Sequence, residues 1–259
     1  MRVTSLAAFV EAVEQTVVEW TPKGASWYLQ PWFRGHGDVT WTLTPGWYRL
    51  AGYITGIGAE YYNEETLLET FKLRAPTYLE RLPASNWEWL FLMQHYGLRT
   101  RLLDWTESSL IALYFALRDH TGAADAAVWM LNPWWLNRET FGDYVLFPAD
   151  DPRAGDHAPL WGGHKLKGRL PIAITPSHGS QRIAAQRGVF TIHGTEPDAL
   201  DRLALRRGKD RPNLRRLVIP KARVPAMRRE LSISGISESL IFPELSGLCR
   251  EIKRDFFDD

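Results

Sequence analysis

The sequence predicts an α+β fold, a single domain with a mixed, split sheet and flanking helices. Two observations carry this. Apolar residues recur at helical spacing in several stretches, and short β-branched or aromatic runs are interleaved with them along the chain. The 259 residues contain no internal repeat, low-complexity tract or linker, and 45% hydrophobic with 24% charged residues is an ordinary globular balance.

The elements follow in order. Residues 5–20 read as an amphipathic helix, with Leu6, Phe9, Val10, Val13 and Val17 on one face and Thr4 and Ser5 as caps. After a Pro22-Lys-Gly break, the aromatic run from Trp27 to Arg34 reads as a strand ending in Gly35-His36-Gly37. Residues 60–82 and 86–96 read as helices. A short strand over 101–103 leads through Asp104-Trp105-Thr106 into a helix over 108–118. Residues 126–131, 170–175, 189–193 and 214–219 read as strands, and 132–165 as irregular surface chain. A short helix over 225–232 follows, and 248–257 closes the fold. Residues 1–24 thus form an N-terminal helix, 25–250 the domain and 251–259 a tail.

Composition narrows the function. A lone Cys249 excludes an internal disulfide framework, and the seven histidines show no ligand spacing, so no metal is expected. His157, His164, His178 and His193 have no partner in view. The start has no basic-then-apolar layout and no run reaches membrane-span length, so the expectation is a cytoplasmic protein without a membrane partner. The twelve tryptophans read mostly as core, with two or three at a pocket edge. The net charge is only +1, but residues 202–229 hold eleven Lys or Arg against one acid, Asp210. Arg206, Arg207, Arg215 and Arg216 are the candidates there for nucleic-acid contact, the alternative being a solvated face.

Chemistry concentrates in two places. Phe33-Arg34-Gly35-His36-Gly37 sets a phosphate-matching guanidinium beside two glycines that let the backbone approach a ligand. The run from Gln94 to Ala116 places His95, Arg99, Thr100, Arg101, Asp104 and Thr106 at the mouth of an apolar helix, as an active-site wall would.

These segments resemble the FRG domain, a family named for a Phe/Tyr-Arg-Gly motif, here Phe33-Arg34-Gly35. Its Trp-x-Leu-x-Pro stands at 41–45, and its Gln-His-Tyr-Gly-Leu-Pro-Thr-Arg-Leu-Leu-Asp-Trp-Thr at 94–106 with Arg99 in place of Pro. Its Arg-Ile-x-x-Gln-x-Gly-x-Phe stands at 182–190, and its Leu-Phe-Pro-Asp-Leu as Ile241-Phe-Pro-Glu-Leu245. The order of elements looks like the ADP-ribosyltransferase fold, in which a first-strand Arg or His holds NAD and a late strand brings a catalytic Glu.

That likeness implies an NAD-consuming ADP-ribosyltransferase acting on a nucleic-acid base in DNA or RNA, in a toxin or anti-phage role with an antitoxin or immunity partner. Arg34, with His36 nearby, would hold NAD, its pyrophosphate reaching Arg101 or Arg182 and its nicotinamide stacking on Trp105 or Tyr114. Thr106 would bond ribose or buttress Arg34. Asp104 reads as the anion facing the oxocarbenium-like centre or as an ion-pair partner of Arg101 or Arg34, and both roles are compatible. His95 reads as a base for the acceptor or as a hydrogen-bonded wall residue, and Gln186 as a ribose ligand or a backbone-bonding edge residue. Glu65 and Glu69 read as one wall of the pocket or as a solvated helix face. The departure is the late strand, which carries Gln186-Arg187-Gly188 and no Glu; Glu238 and Glu244 lie further on. A non-catalytic nucleotide or nucleic-acid binding module is the alternative, and a hydrolase or nuclease the third reading.

Overall fold

In the computed structural model, residues 1–50, 63–159, 161–162, 165–176, 181–207 and 213–257 are described. Ser5 opens helix α1 (Leu6–Trp20) by accepting the Ala8 N–H, and Phe9 and Ala12 turn inward. Strand β1 (Trp32–His36) follows. Helix α2 (Glu64–Arg74) is shorter than the expected 60–82, because Pro76 begins a 3-10 turn over Ala75–Tyr78. Ser85 caps helix α3 (Asn86–His95).

Strand β2 (Leu102–Thr106) does not stop at Leu103 but takes in Asp104-Trp105-Thr106. Ser108 then caps helix α4 (Ser109–Arg118), and strand β3 (Ala126–Leu131) is buried along its whole length. The expected irregular stretch 132–165 contains a helix, α5 (Pro133–Phe141). Asn132 caps it, Pro133 fits the first turn, and Gly142 ends it at φ +79°. Strands β4 (Phe147–Pro148) and β5 (Ile172–Thr175), helix α6 (Gln181–Ala185) and strand β6 (Gly188–Ile192) complete one half. Helix α7 (Leu200–Arg207), strand β7 (Leu214–Ile219) and helices α8 (Val224–Ile233), α9 (Glu238–Ile241) and α10 (Leu245–Phe257) complete the other. No described helix is long and apolar enough to cross a membrane.

The seven strands form one sheet in the order β4-β5-β6-β2-β1-β3-β7. Only β4 and β5 run parallel, so the sheet is mixed. At its centre the ladder nearly lapses: β1 pairs with β2 at the single position Phe33↔Thr106, whereas β1 pairs with β3 over five. This is the split the sequence predicts.

One face of the sheet carries two separate apolar clusters. Phe33, Val128, Met130 and Leu217 meet α1, α4 and α8 on one side of the split. Leu102, Ile172, Phe190 and Ile192 meet Leu90 and Phe91 of α3 on the other. The opposite face is a tryptophan layer: Trp32, Trp105, Trp129 and Trp135 pack with Leu103 and Leu200.

Gly35 serves this packing. A Cβ there would lie 2.1 Å from the Ala112 carbonyl oxygen of α4. The glycine of the Phe-Arg-Gly motif therefore lets a helix approach β1 closely. Gly35→Ala is expected to destabilise by on the order of 3 kcal/mol, the upper range for overpacking against backbone that cannot yield. Urea unfolding checks it, and a loss below about 1 kcal/mol would show that α4 slides freely.

Candidate active site

The split opens a cavity of about 260 Å³ between α3 and α4. Its floor is apolar, made of Phe33, Phe91, Phe115, Ile183 and Phe190, and its polar wall is Arg34, Gln94, His95, Asp104, Asp119 and Gln186. Phe91 stacks on Phe190 at 4.8 Å, which joins α3 to β6 beneath the cavity.

Arg34 is held by its own strand and by the gap beside it. Its Nη1 donates to the Asp104 carbonyl oxygen at 2.6 Å, an acceptor available because β1 and β2 have already parted. The same nitrogen lies 3.6 Å from the Asp104 carboxylate. Its Nε donates to His36 Nε2 at 3.2 Å. His36 can accept only as a neutral ring, and burial followed by the charge of Arg34 lowers its pKa from 6.5 to about 3. Strand alternation puts Arg34 and His36 on one face, so the ring fixes the guanidinium fork while Nη2 keeps no protein partner among the described residues.

Asp104 is pinned from the other side. Gln94 Nε2 donates to its Oδ2 at 2.7 Å, while Gln94 Oε1 accepts from the Thr100 hydroxyl at 2.7 Å. Thr100 in turn accepts the Leu102 N–H at 3.0 Å. The carboxylate is thus oriented through a relay from the backbone of β2, yet its side chain stays 54% exposed. Asp119, at the C-terminal cap of α4, adds a second carboxylate to the wall. Desolvation raises its pKa, opposed by Arg118 and Arg34. Among the described residues no group of three His, Cys, Asp or Glu could hold a metal ion.

Residues 30–125 match the family model of the FRG domain. This segment is similar to the FRG domain. It contains both motif segments, from Phe33-Arg34-Gly35 to Gln94–Thr106, and ends just before β3. Neither the curated proteins nor the solved structures hold a match to the chain.

The fold brings Arg34, His95, Asp104, Thr106 and Gln186 to one cavity, with His36 behind Arg34. Two expected NAD ligands, Arg101 and Tyr114, do not line the cavity. Arg101 is 1% exposed and away from the cavity, its Nε 2.7 Å from the carboxylate of Glu64. Its remaining donors reach the carbonyls of His193, His157 and Ala158 at 2.6–3.2 Å. Trp105 lines the cavity while its indole also packs in the tryptophan layer and donates to Thr191 Oγ1 at 3.0 Å. Tyr114 is buried in the α4 core, its hydroxyl on Glu238. Beside Trp105, the aromatic surface of the cavity comes from Phe33, Phe91, Phe115 and Phe190.

Thr106 spends its hydroxyl within the fold, donating to the Gln186 carbonyl at 2.7 Å and accepting the Ser108 N–H at 3.0 Å. Gln186 Nε2 donates to the Ile241 carbonyl at 3.3 Å. Glu238 is engaged by Tyr114 and by Arg250, and neither it, Glu244, Glu65 nor Glu69 lines the cavity. Glu64, one residue before the expected pair, is the buried acid. The side chains of Arg182 and Arg207, and residues His164 and His178, lie outside the described residues.

Three of the expected nucleic-acid arginines have partners within the fold among the described residues. Arg206 pairs with Asp198 at 2.7 Å. Arg215 bonds Thr16 and both carboxylate oxygens of Glu19. Arg216, on the opposite face of β7, donates to the Val39 carbonyl and lies 5.1 Å from the Trp129 ring. Of the residues the sequence reading missed, Gln94 stood inside the polar run, whereas Asp119 carried no signal beyond following the apolar helix.

Buried histidines give the domain an acid-sensitive fold. Burial first, then neighbouring positive charge, lowers both His36 and His193 from 6.5 to about 3. Between those values the unfolded chain binds protons that the folded chain refuses, so acid favours unfolding. This contribution is fully present above pH 6.5 and is lost as the pH falls towards 3, at about 1.4 kcal/mol per pH unit for each ring. Urea unfolding at pH 7.5, 6 and 5 is expected to give falling stability, and a flat profile would mean both rings are solvated.

Proposed function

We propose that this chain is an NAD-consuming ADP-ribosyltransferase whose acceptor is a nucleic-acid base. The observation that carries the reading is Arg34, fixed beside the oriented carboxylate of Asp104 in a cavity opened by the split sheet. A cation with one uncommitted edge suits a pyrophosphate, and the phenylalanine floor suits a flat ring. NAD, when bound, supplies a ribose C1′ whose bond to nicotinamide is weak towards an oxocarbenium-like transition state.

The chain supplies the rest. Arg34 holds negative charge, and Asp104 presents an oriented negative charge to the positive centre that develops, at no reorganisation cost. Asp119 and His95 are the groups in the wall able to take a proton from an acceptor. A toxin or anti-phage role, with an antitoxin or immunity partner, follows naturally from such chemistry.

A second reading, a non-catalytic nucleotide or nucleic-acid binding module, draws on one specific observation. The turn before the late strand β6 brings Gln186, and no Glu, to the cavity, and Glu238 is committed to Tyr114 and Arg250 outside it. The test is nicotinamide release from NAD by the purified chain, alone and with single-stranded DNA, duplex DNA or RNA. Release stimulated by one nucleic acid supports the transferase and names its acceptor. Saturable nucleotide binding without release supports the binding module.

A further inference from the structure

A second cavity of about 250 Å³ adjoins the first and shares Phe91, His95 and Ile183 with it. Its own walls are Leu79, Leu82 and Pro83 from the chain entering α3, facing Leu92 and Tyr96 of α3 and its cap. This wall is built before any ligand arrives. Ser85 Oγ accepts the Glu88 N–H at 3.2 Å while Glu88 Oε2 accepts the Ala84 N–H at 2.8 Å, a reciprocal cap that fixes the loop against the helix. Yet its lip leaves Leu82 53% and Tyr96 67% exposed, apolar surface that the fold itself does not cover.

We propose that this lobe is the acceptor subsite of the transferase reading and takes a nucleobase. A base is flat, which suits a slot between aliphatic side chains and a tyrosine ring, and base–aromatic stacking tolerates any sequence. Its edge carries both donors and acceptors, and the lobe offers Arg81 as donor and the Glu88 carboxylate as acceptor. His95 stands in the shared wall, between the base and the charged cavity. In the transfer, the acceptor's N–H or O–H gives its proton to His95 as its N or O bonds C1′. The C1′–nicotinamide bond breaks with its electron pair going to the nicotinamide nitrogen, which discharges that ring's positive charge. The products are the ADP-ribosylated base, nicotinamide and one proton.

The inference rests on the transferase reading, so its test has two independent arms. Saturation-transfer NMR with free adenosine, guanosine, cytidine, uridine and thymidine reads the lobe, and nicotinamide release reads the transferase. The expected result is base-proton saturation for at least one nucleoside, unaffected by saturating NAD and by Arg34→Ala. Leu82→Arg and Tyr96→Ala, both at exposed positions, are expected to weaken it at least tenfold while the melting temperature is unchanged. Two results overturn the proposal: no nucleoside contact, or nucleoside displaced by NAD, which would assign the lobe to the dinucleotide. Nucleoside binding in the lobe with no nicotinamide release under any condition would overturn the transferase reading and the acceptor role with it, leaving only a base-binding lobe.

Discussion

Arg101→Ala is expected to destabilise the domain by about 3–5 kcal/mol, the range for removing one partner of a buried ion pair. Arg101 and Glu64 are each 1% exposed, and their contact ties β2 to α2 at 2.7 Å. The same guanidinium reaches the chain after β6 through the His193 carbonyl and the turn before β5 through those of His157 and Ala158. Its removal leaves a carboxylate buried without a cation and three carbonyls without their donor. Because domains are stable by only about 5–15 kcal/mol, much of the folded population would be lost at 37 °C. Urea unfolding of Arg101→Ala, beside the double variant Arg101→Met with Glu64→Leu, checks the cause. The double variant should recover part of the loss, since apolar groups of similar volume often replace a buried pair without penalty. A single-variant loss under about 1 kcal/mol would mean that water reaches Glu64.

The same arginine marks the limit of what the sequence reveals. Arg34 and Arg101 both stand in motif segments beside strands, and nothing local separates a ligand-facing guanidinium from a buried one. The distinction is set by Glu64, 37 positions before Arg101, and by carbonyls more than 50 positions after it. Strand β3 was legible to the residue because it is an unbroken apolar run with clean ends, and β7 matches its expected bounds although Arg215 and Arg216 interrupt its apolar residues. The helix α5 was equally signalled by Asn132, Pro133 and Gly142, but the surrounding Pro, Asp and Gly obscured it. In the basic run 202–229 composition counts charges but not their partners: Arg206 pairs with Asp198, Arg215 with Glu19, and Arg216 with the Val39 carbonyl. The cavity wall was legible where polar residues of one strand and one helix end meet, at His95, Asp104 and Thr106.

Arg34→Ala is expected to lower nicotinamide release 10²–10³-fold, the usual effect of deleting one oriented charge-stabilising donor. The accompanying loss of stability should be only about 1–2 kcal/mol. The contrast with Arg101 follows from exposure. Deleting Arg34 strands no buried carboxylate, because Asp104 is half open to water and keeps the Gln94 amide at 2.7 Å. What disappears is the fork itself, and Arg34→Lys tests this, since it retains the charge but not the planar geometry that His36 and the Asp104 carbonyl hold in place. If the charge alone matters, the lysine variant recovers most of the rate; if the fork binds a phosphate pair, it stays near the alanine variant. Asp104→Asn separates the two halves of the site. It keeps the size of the side chain and removes the charge, so it should lower the rate with little change in NAD affinity, whereas Arg34→Ala should weaken both. Equal losses of affinity in the two variants would place Asp104 in binding and leave the developing positive charge to Asp119.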